Sequence, residues 1–94
     1  MAASRPRVRR SGLTTVELDG EAVIYDDSSG ELHHLNPTAT IVFGLLDGTA
    51  TIRELSSDIA EAFGMPPEEI EPQLRSLLRR FRKAGLLEPA TNGG

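Results

Sequence analysis

The sequence of 94 residues contains no cysteine and carries a formal net charge of −4 at pH 7. A chain of this length forms one domain with a modest core and leaves little room for an enclosed catalytic cavity. The lack of cysteine excludes disulfides, thiolate metal ligands and a cysteine nucleophile. No stretch approaches the roughly 18 consecutive apolar residues of a transmembrane helix, so the composition predicts a soluble, cytoplasmic protein without a membrane partner.

Charge is distributed unevenly along the chain. The first ten residues contain four arginines and no acid, so six basic and fourteen acidic residues remain and give the rest a net charge of −8. We predict that residues 1–12, which are polar and arginine-rich, form a disordered basic tail. A mostly acidic body argues against non-specific nucleic-acid binding, because such binding depends on neutralising phosphates. Five basic residues nevertheless cluster near the C-terminus: Arg75, Arg79, Arg80, Arg82 and Lys83.

Three short strands are predicted after the tail. Residues 13–18 and 21–25 flank Asp19-Gly20, a two-residue signal for a type I′ hairpin. A second turn at residues 27–30 leads into a third strand at residues 31–35.

The pairing register sorts the strand side chains onto two faces. One face carries Val16, Val23, Tyr25, Leu32 and His34. The other face carries Leu13, Ala22, Ile24, His33 and Leu35. Both faces include apolar side chains, so the pattern leaves open which one is buried, and a shift of one residue would exchange them.

The first helix is predicted for residues 37–47. Asn36 supplies a side-chain oxygen for the N-cap, and Pro37 occupies the first helical position, where its missing N–H costs nothing. We expect Gly48 to end this helix in the left-handed conformation. Inside the helix, Gly44 predicts a close approach to a neighbouring element.

Two further helices follow. Thr51 and Glu54 form a capping box at the start of the second helix. The third helix begins at Pro67, and its Pro72 predicts either a kink or a later start near Glu71.

The order of these elements predicts the architecture. Three strands followed by three helices indicate an α+β domain of winged helix-turn-helix-like form, with a three-stranded antiparallel sheet, over residues 13–88. Residues 89–94 are predicted to form a second disordered tail.

The sequence offers few groups for catalysis. His33 and His34 are adjacent on a strand and therefore point to opposite faces, so they do not act on one substrate or bind one metal ion together. The glycines are too widely separated to form a phosphate-binding loop. We therefore predict a protein that is not an enzyme and has no catalytic residues, no metal site and no cofactor.

The basic stretch of the third helix allows three interpretations. A solvated surface that complements the helix dipole explains Arg79, Arg80 and Lys83. A DNA recognition helix, the second interpretation, would present its N-terminal part to the bases. In this chain that part is acidic and would repel phosphate: it carries Glu68, Glu69 and Glu71.

The third interpretation is a peptide-binding surface. At 100° per residue, four apolar side chains share one face of the helix: Ile70, Leu74, Leu77 and Phe81. Leu78 lies at one edge of that face, flanked by Arg75 and Arg82. An apolar strip beside two arginines suits a peptide that carries a hydrophobic anchor and acidic residues.

Five segments of the sequence resemble the PqqD-like family. They are Glu17-Leu-Asp-Gly-Glu-Ala-Val-Ile-Tyr25, Ser29-Gly-Glu-Leu-His-His-Leu-Asn-Pro-Thr-Ala39, Leu45-Leu-Asp-Gly48, Thr51-Ile-Arg-Glu-Leu55 and Ala84-Gly-Leu-Leu87. The resemblance spans roughly residues 13–88. It implies a RiPP recognition element, which is a small domain that binds the leader of a ribosomally synthesised precursor peptide.

In this family the leader adds as an antiparallel strand to the free edge of the third strand, against the third helix. Carried over to this chain, the resemblance implies a strand edge formed by Glu31, Leu32, His33, His34 and Leu35. It implies a helix wall formed by Leu74, Arg75, Leu78 and Arg82. Family members often cap the third helix with aspartate or serine, whereas this chain has Pro66 and Pro67 at that position.

We therefore expect a non-catalytic adaptor that binds a precursor leader peptide and presents it to a processing enzyme. That enzyme would be a radical-SAM enzyme, a leader peptidase or a cyclase. The alternative from another class of function is a winged-helix DNA-binding regulator.

Overall fold

A computed structural model describes residues 5–9 and 11–88. The chain forms three strands and then three helices, which confirms the predicted α+β fold. The strands are β1 (Leu13–Leu18), β2 (Glu21–Asp26) and β3 (Leu32–Leu35). The helices are α1 (Pro37–Gly44), α2 (Ile52–Phe63) and α3 (Pro67–Lys83).

The strands form one antiparallel sheet in the order β1-β2-β3. Asp19 and Gly20 both have positive φ angles, 55° and 79°, as a type I′ turn requires. The predicted register is confirmed, because Val16 lies opposite Val23 and Val23 lies opposite His34.

The sheet buries the face that carries Ala22, Ile24 and Leu35, which pack with the three helices in one core. On the opposite face Leu32 is 68% exposed and Val16 is 61% exposed. The structure thus settles the choice that the alternating pattern left open.

Helix α1 begins as predicted but ends three residues early. The Asn36 side chain accepts a hydrogen bond from the Ala39 amide at 2.8 Å, and the last helical residue is Gly44 rather than Asp47. The expected close approach at Gly44 is also wrong, since no heavy atom of a neighbouring element lies within 4 Å of a Cβ placed there. The reason for the early end is that Leu46 turns into the core, where it is buried.

An N-terminal segment, residues 5–9, covers the chain that follows α1. The Val8 amide donates to the Leu46 carbonyl at 2.9 Å, and the Gly48 amide donates to the Pro6 carbonyl at 3.0 Å. Gly48 has a φ of +83° and lies against the Arg7 side chain, so its positive φ belongs to this contact and not to a helix cap.

The same segment also contacts the C-terminal end of the domain. The Arg9 amide donates to the Leu86 carbonyl at 3.0 Å, and the Glu88 amide donates to the Arg7 carbonyl at 2.8 Å. The prediction of a disordered tail is therefore wrong for residues 5–9, which exchange backbone hydrogen bonds with both ends of the helical region. Its remainder at residues 1–4 and 10, like the tail predicted for residues 89–94, lies outside the described residues.

The second and third helices follow the sequence closely. The Thr51 hydroxyl accepts from the Glu54 amide at 3.2 Å and the Glu54 carboxylate accepts from the Thr51 amide at 2.8 Å, which confirms the capping box. Helix α3 begins at Pro67 and continues through Pro72, so a start near Glu71 is wrong. A kink at Pro72 stays a prediction. Within residues 5–9 and 11–88, no helix has the length and apolar character needed to cross a membrane.

Asp26 joins the N-terminal segment to the sheet and to the end of α3. One carboxylate oxygen accepts from the Ser28 hydroxyl at 2.7 Å, and the other accepts from the Arg9 guanidinium at 2.9 Å. The same Arg9 nitrogen donates to the Gly85 carbonyl at 3.0 Å. The Ser28 hydroxyl and amide, together with Arg9, hold the pKa of Asp26 well below its usual range and outweigh the effect of burial.

This network makes stability depend on pH in a defined direction. Because the pKa of Asp26 is lower in the folded protein than the value of about 3.9 in an unfolded chain, its contribution is present above about pH 4 and is lost as the pH falls further. We expect D26N to have a lower urea midpoint than wild type at pH 7 and to lose less stability on acidification. D27N, which changes an exposed neighbour, is the control. A D26N variant with the wild-type pH profile would contradict this role.

Candidate functional site

Strand β3 lies at the edge of the sheet and has one unpaired side. The Asp26 amide donates to the Glu31 carbonyl at 2.9 Å, which sets the phase of hydrogen bonding between β2 and β3. In an antiparallel ladder, successive residues of a strand point their N–H and C=O groups alternately to one side and to the other. Because Glu31 points toward β2, His33 and Leu35 do so as well. Leu32 and His34 point theirs toward the opposite side, where no other strand of the described chain pairs with them.

A cavity of about 470 Å³ lies between this edge and helix α3. It is bounded by the whole of β3, by the start of α1 and by the C-terminal half of α3. Its lining residues are Leu32, His33, His34, Leu35, Asn36, Ala39, Leu77, Arg80, Phe81, Ala84 and Leu86.

A second cavity of about 620 Å³ adjoins the first and shares four of its residues: Asn36, Ala39, Leu77 and Arg80. It extends along the N-terminal half of α3 between α1 and the end of α2. Its other lining residues are Thr38, Val42, Ile59, Phe63, Met65, Ile70, Pro72, Gln73, Leu74 and Ser76. The two cavities form one continuous depression, which we call the α3 groove and define by these two sets of residues.

One side of helix α3 forms the wall of the groove. Gln73, Leu77, Arg80 and Ala84 line it at spacings of four, three and four residues, as expected for one helical face.

Of the four helix-wall residues implied by the resemblance, only Leu74 lines the groove, and the part that the other three take in binding stays a prediction. Leu74 and Leu78 are only 3% and 4% exposed and belong to the core, although Leu74 also touches the groove. Arg75 and Arg82 do not line either cavity, and Arg75 instead pairs with Glu71 at 3.2 Å. The reason is that Leu77 and Leu78 lie on opposite edges of the apolar face, and the groove runs along the Leu77 edge.

The predicted strand edge is mostly retained at the groove. Of the five residues named from the sequence, Glu31 does not line a cavity and the other four do. The His34 side chain lies on the exposed face of the sheet, where its imidazole contacts Glu21 at 2.7 Å. The His33 side chain lies on the helix side of β3, and its Nε2 is buried without a hydrogen-bond partner among the described residues.

Most of the groove residues were not anticipated as site residues. They include Leu77 and Arg80 of α3, Ile59 and Phe63 of α2, and Met65 of the following turn. Phe63 could have indicated this part of the site, because it is an aromatic residue in the last turn of a helix. Its side chain is 41% exposed in the structure. Large exposed apolar side chains beside a concavity often indicate a binding surface.

The start of α3 differs from the cap that is frequent in the resembled family. Pro66 occupies the N-cap position and provides no side-chain hydrogen bond. Pro72, six residues further along, lines the larger cavity, whereas Pro66 and Pro67 do not. The N-terminal part of α3 therefore contributes a proline ring to the groove and has no polar cap.

The sequence matches the family of coenzyme PQQ synthesis protein D (PqqD) over residues 21–87. The match covers most of the chain, and the protein therefore belongs to the PqqD family, which confirms the resemblance. A search among curated proteins finds no match.

Two solved structures have a similar fold. TbiB1 in complex with the TbiA(beta) leader peptide is 20% identical, with a TM-score of 0.79 over 92% of this chain and 99% of that chain. Lasso peptide synthetase B1 complexed with the leader peptide is also 20% identical, with a TM-score of 0.77 over 90% of this chain and 99% of that chain. These likenesses show that the whole domain has the same fold as theirs.

The division of α3 into a core edge and a groove edge can be tested by stability. We expect L78A to lower the free energy of unfolding by about 2–5 kcal/mol, because it leaves a cavity in the core. We expect L77A, on the half-buried groove edge, to lower it by about 1 kcal/mol. Urea unfolding of both variants makes the comparison, and equal losses would contradict the assignment.

Proposed function

We propose that this protein is a non-catalytic adaptor that binds the leader of a ribosomally synthesised precursor peptide. The leader would add as a strand to β3 with its side chains in the α3 groove. The observation that carries this function is the juxtaposition, in the described chain, of an unpaired strand edge with a groove whose larger cavity has a mainly apolar lining. Membership of the PqqD family supports it, as do leader peptides bound to two proteins of the same fold.

The mode of binding follows from β-augmentation. The N–H and C=O groups of Leu32 and His34 can each pair with an incoming backbone, which supplies affinity that does not depend on sequence. Successive side chains of the added strand point to opposite faces, so every second one would enter the groove. The short edge, with only four strand residues, limits unwanted pairing between copies.

The fold also favours one direction for the leader. Arg9 bonds both to Asp26, which pairs with Glu31, and to Gly85 at the end of α3. The start of β3 therefore lies beside the C-terminal end of α3, and β3 runs opposite to the helix. An antiparallel leader would run in the same direction as α3. Its N-terminal part would lie over the larger cavity, and it would leave beside Leu32.

Presentation of the precursor peptide to a processing enzyme would raise the effective concentration of the peptide at that enzyme. An adaptor that holds the leader while it contacts a radical-SAM enzyme, leader peptidase or cyclase makes the second encounter intramolecular. We place this step in the cytoplasm, where precursor peptides are synthesised.

The decisive titration uses fluorescence polarisation with the leader peptide encoded beside this gene, and duplex DNA as the competing ligand. Saturable binding of the leader without binding of DNA is the expected outcome. The first turn of α3 carries Glu68 and Glu69, which would repel phosphate at the part of a recognition helix that contacts bases. If the protein binds DNA and does not bind the leader, the adaptor hypothesis is wrong and the winged-helix DNA-binding regulator takes its place.

Proline substitutions test the strand edge itself. L32P and H34P each remove an N–H that points away from β2, so we expect circular dichroism to show that the helices remain folded. Leader affinity should fall by at least about tenfold, because the leader loses one backbone hydrogen bond and the rigid proline ring fits poorly against it.

The matched control is T15P. Thr15 is exposed on β1 and alternates with Val16 and Thr14, which bond to β2, so it presents its N–H at the other edge of the sheet. T15P should bind the leader like wild type. If L32P, H34P and T15P all bind the leader with equal affinity, the leader does not add as a strand to β3.

A further inference from the structure

The α3 groove contains no carboxylate in a protein that is otherwise acidic. Fourteen Asp and Glu residues are present in the chain, and none of them lines either cavity. The ionisable side chains that face the groove are His33 on the helix side of β3 and a single arginine, Arg80, on α3, whereas the His34 side chain lies on the other face of the sheet and contacts Glu21. An acid-free depression favours a ligand of negative or neutral character.

Arg80 has a central position in the groove. It is one of the four residues common to both cavities, so the groove continues on each side of it, with a mainly apolar lining in the larger cavity and a more polar one in the smaller cavity. Its side chain is exposed. Among the described residues, no carboxylate forms a salt bridge with it, whereas Arg7, Arg9 and Arg75 each have one.

The neighbouring cations of α3 do not share this position. Arg79, Arg82 and Lys83 are exposed, but none of them lines either cavity. At 100° per residue, Arg79 and Arg82 are turned away from the stripe that Leu77, Arg80 and Ala84 form. The position of Arg80, and not the local density of positive charge, distinguishes it.

We propose that Arg80 is a specificity-determining residue that binds an acidic side chain of the leader, an inference that rests on the proposed function. The acid would lie between an apolar residue in the larger cavity, toward the leader N-terminus, and an apolar residue in the smaller cavity. A guanidinium presents paired N–H donors that match the two oxygens of a carboxylate.

A peptide carboxylate fits this site better than a phosphate of nucleic acid. One cation in a groove without further arginine or lysine cannot neutralise a row of phosphates, and nucleic-acid binding rests on several such contacts. A single acid between two apolar anchors matches the same arrangement with no unpaired charge.

A display selection provides the test, because it identifies preferred peptides even when the leader sequence is unknown. A library of random 16-residue peptides on phage is selected against wild-type protein, R80E and R79E, and the enriched peptides are sequenced. Wild type and R79E should enrich Asp or Glu at one position, with apolar residues on both sides. R80E should lose this preference or replace it with Lys or Arg.

Binding constants then quantify the pair. For the peptide that wild type enriches most, changing its acid to lysine should weaken binding to wild type by about tenfold or more, and R80E should recover the loss. R80K should retain a part of the affinity, because it keeps the charge but not the paired donors. Thermal unfolding of each variant verifies that it is folded.

The outcomes separate this inference from the function on which it depends. If wild type enriches peptides and binds the encoded leader but shows no acidic position, or if R80E keeps the same acidic position, Arg80 does not have this role and the adaptor function stands. If wild type enriches no peptide and does not bind the encoded leader, both are overturned.

Discussion

Strand β3 can satisfy only half of its backbone groups within the domain, and the candidate site follows from that constraint. Hydrogen bonding to β2 uses the groups of Glu31 and of every second residue after it. The two ends of the strand are held independently. The Arg9–Asp26 pair ties its start to the end of α3, and Asn36 begins α1 immediately after its last residue. A short edge fixed at both ends beside a helix is held in place by the domain itself, without a ligand.

In the proposed function, recognition would be divided between backbone and side chains. The edge of β3 would offer the same N–H and C=O groups to any extended peptide and so contribute affinity with little selectivity. The groove would contribute selectivity, because its wall consists of side chains that can change without disturbing the sheet. Gln73, Leu77 and Arg80 occupy the groove edge of α3, whereas Leu74 and Leu78 hold the helix to the core.

The local features of the fold could be predicted from sequence because each has its cause within a few residues. Asp19-Gly20 fixed the hairpin register, Asn36 fixed the start of α1, and Thr51 with Glu54 fixed that of α2. The buried sheet face and the groove edge of α3 could not be predicted, because both choices depend on how whole elements pack. Periodicity gives an apolar face to α3 but does not say which flank of that face meets β3.

The N-terminal segment is a second case in which the sequence pattern did not predict the structure. Residues 5–9 have the composition of a solvated tail, and their order comes from partners far along the chain. Val8 bonds to Leu46, and Arg9 bonds to Leu86 and Asp26. These contacts also explain why α1 ends at Gly44, since the chain beyond it is paired with residues 6–8 rather than with the helix.

When a peptide adds as a strand to an edge, backbone pairing leaves its register undetermined. In the proposed binding mode, contacts with the groove would select one register. A shift of one residue exchanges the two faces of the added strand, but a shift of two residues restores them, so backbone pairing alone permits several positions. If the leader binds as proposed, two cavities that meet at Arg80 would make these positions unequal, because each position brings a different leader side chain to Arg80. No acidic residue of the described domain lines either cavity, and exposed charges more than about 8 Å apart are largely screened at physiological ionic strength. Under the proposal, a single local charge would therefore fix register in a protein whose net charge has the opposite sign.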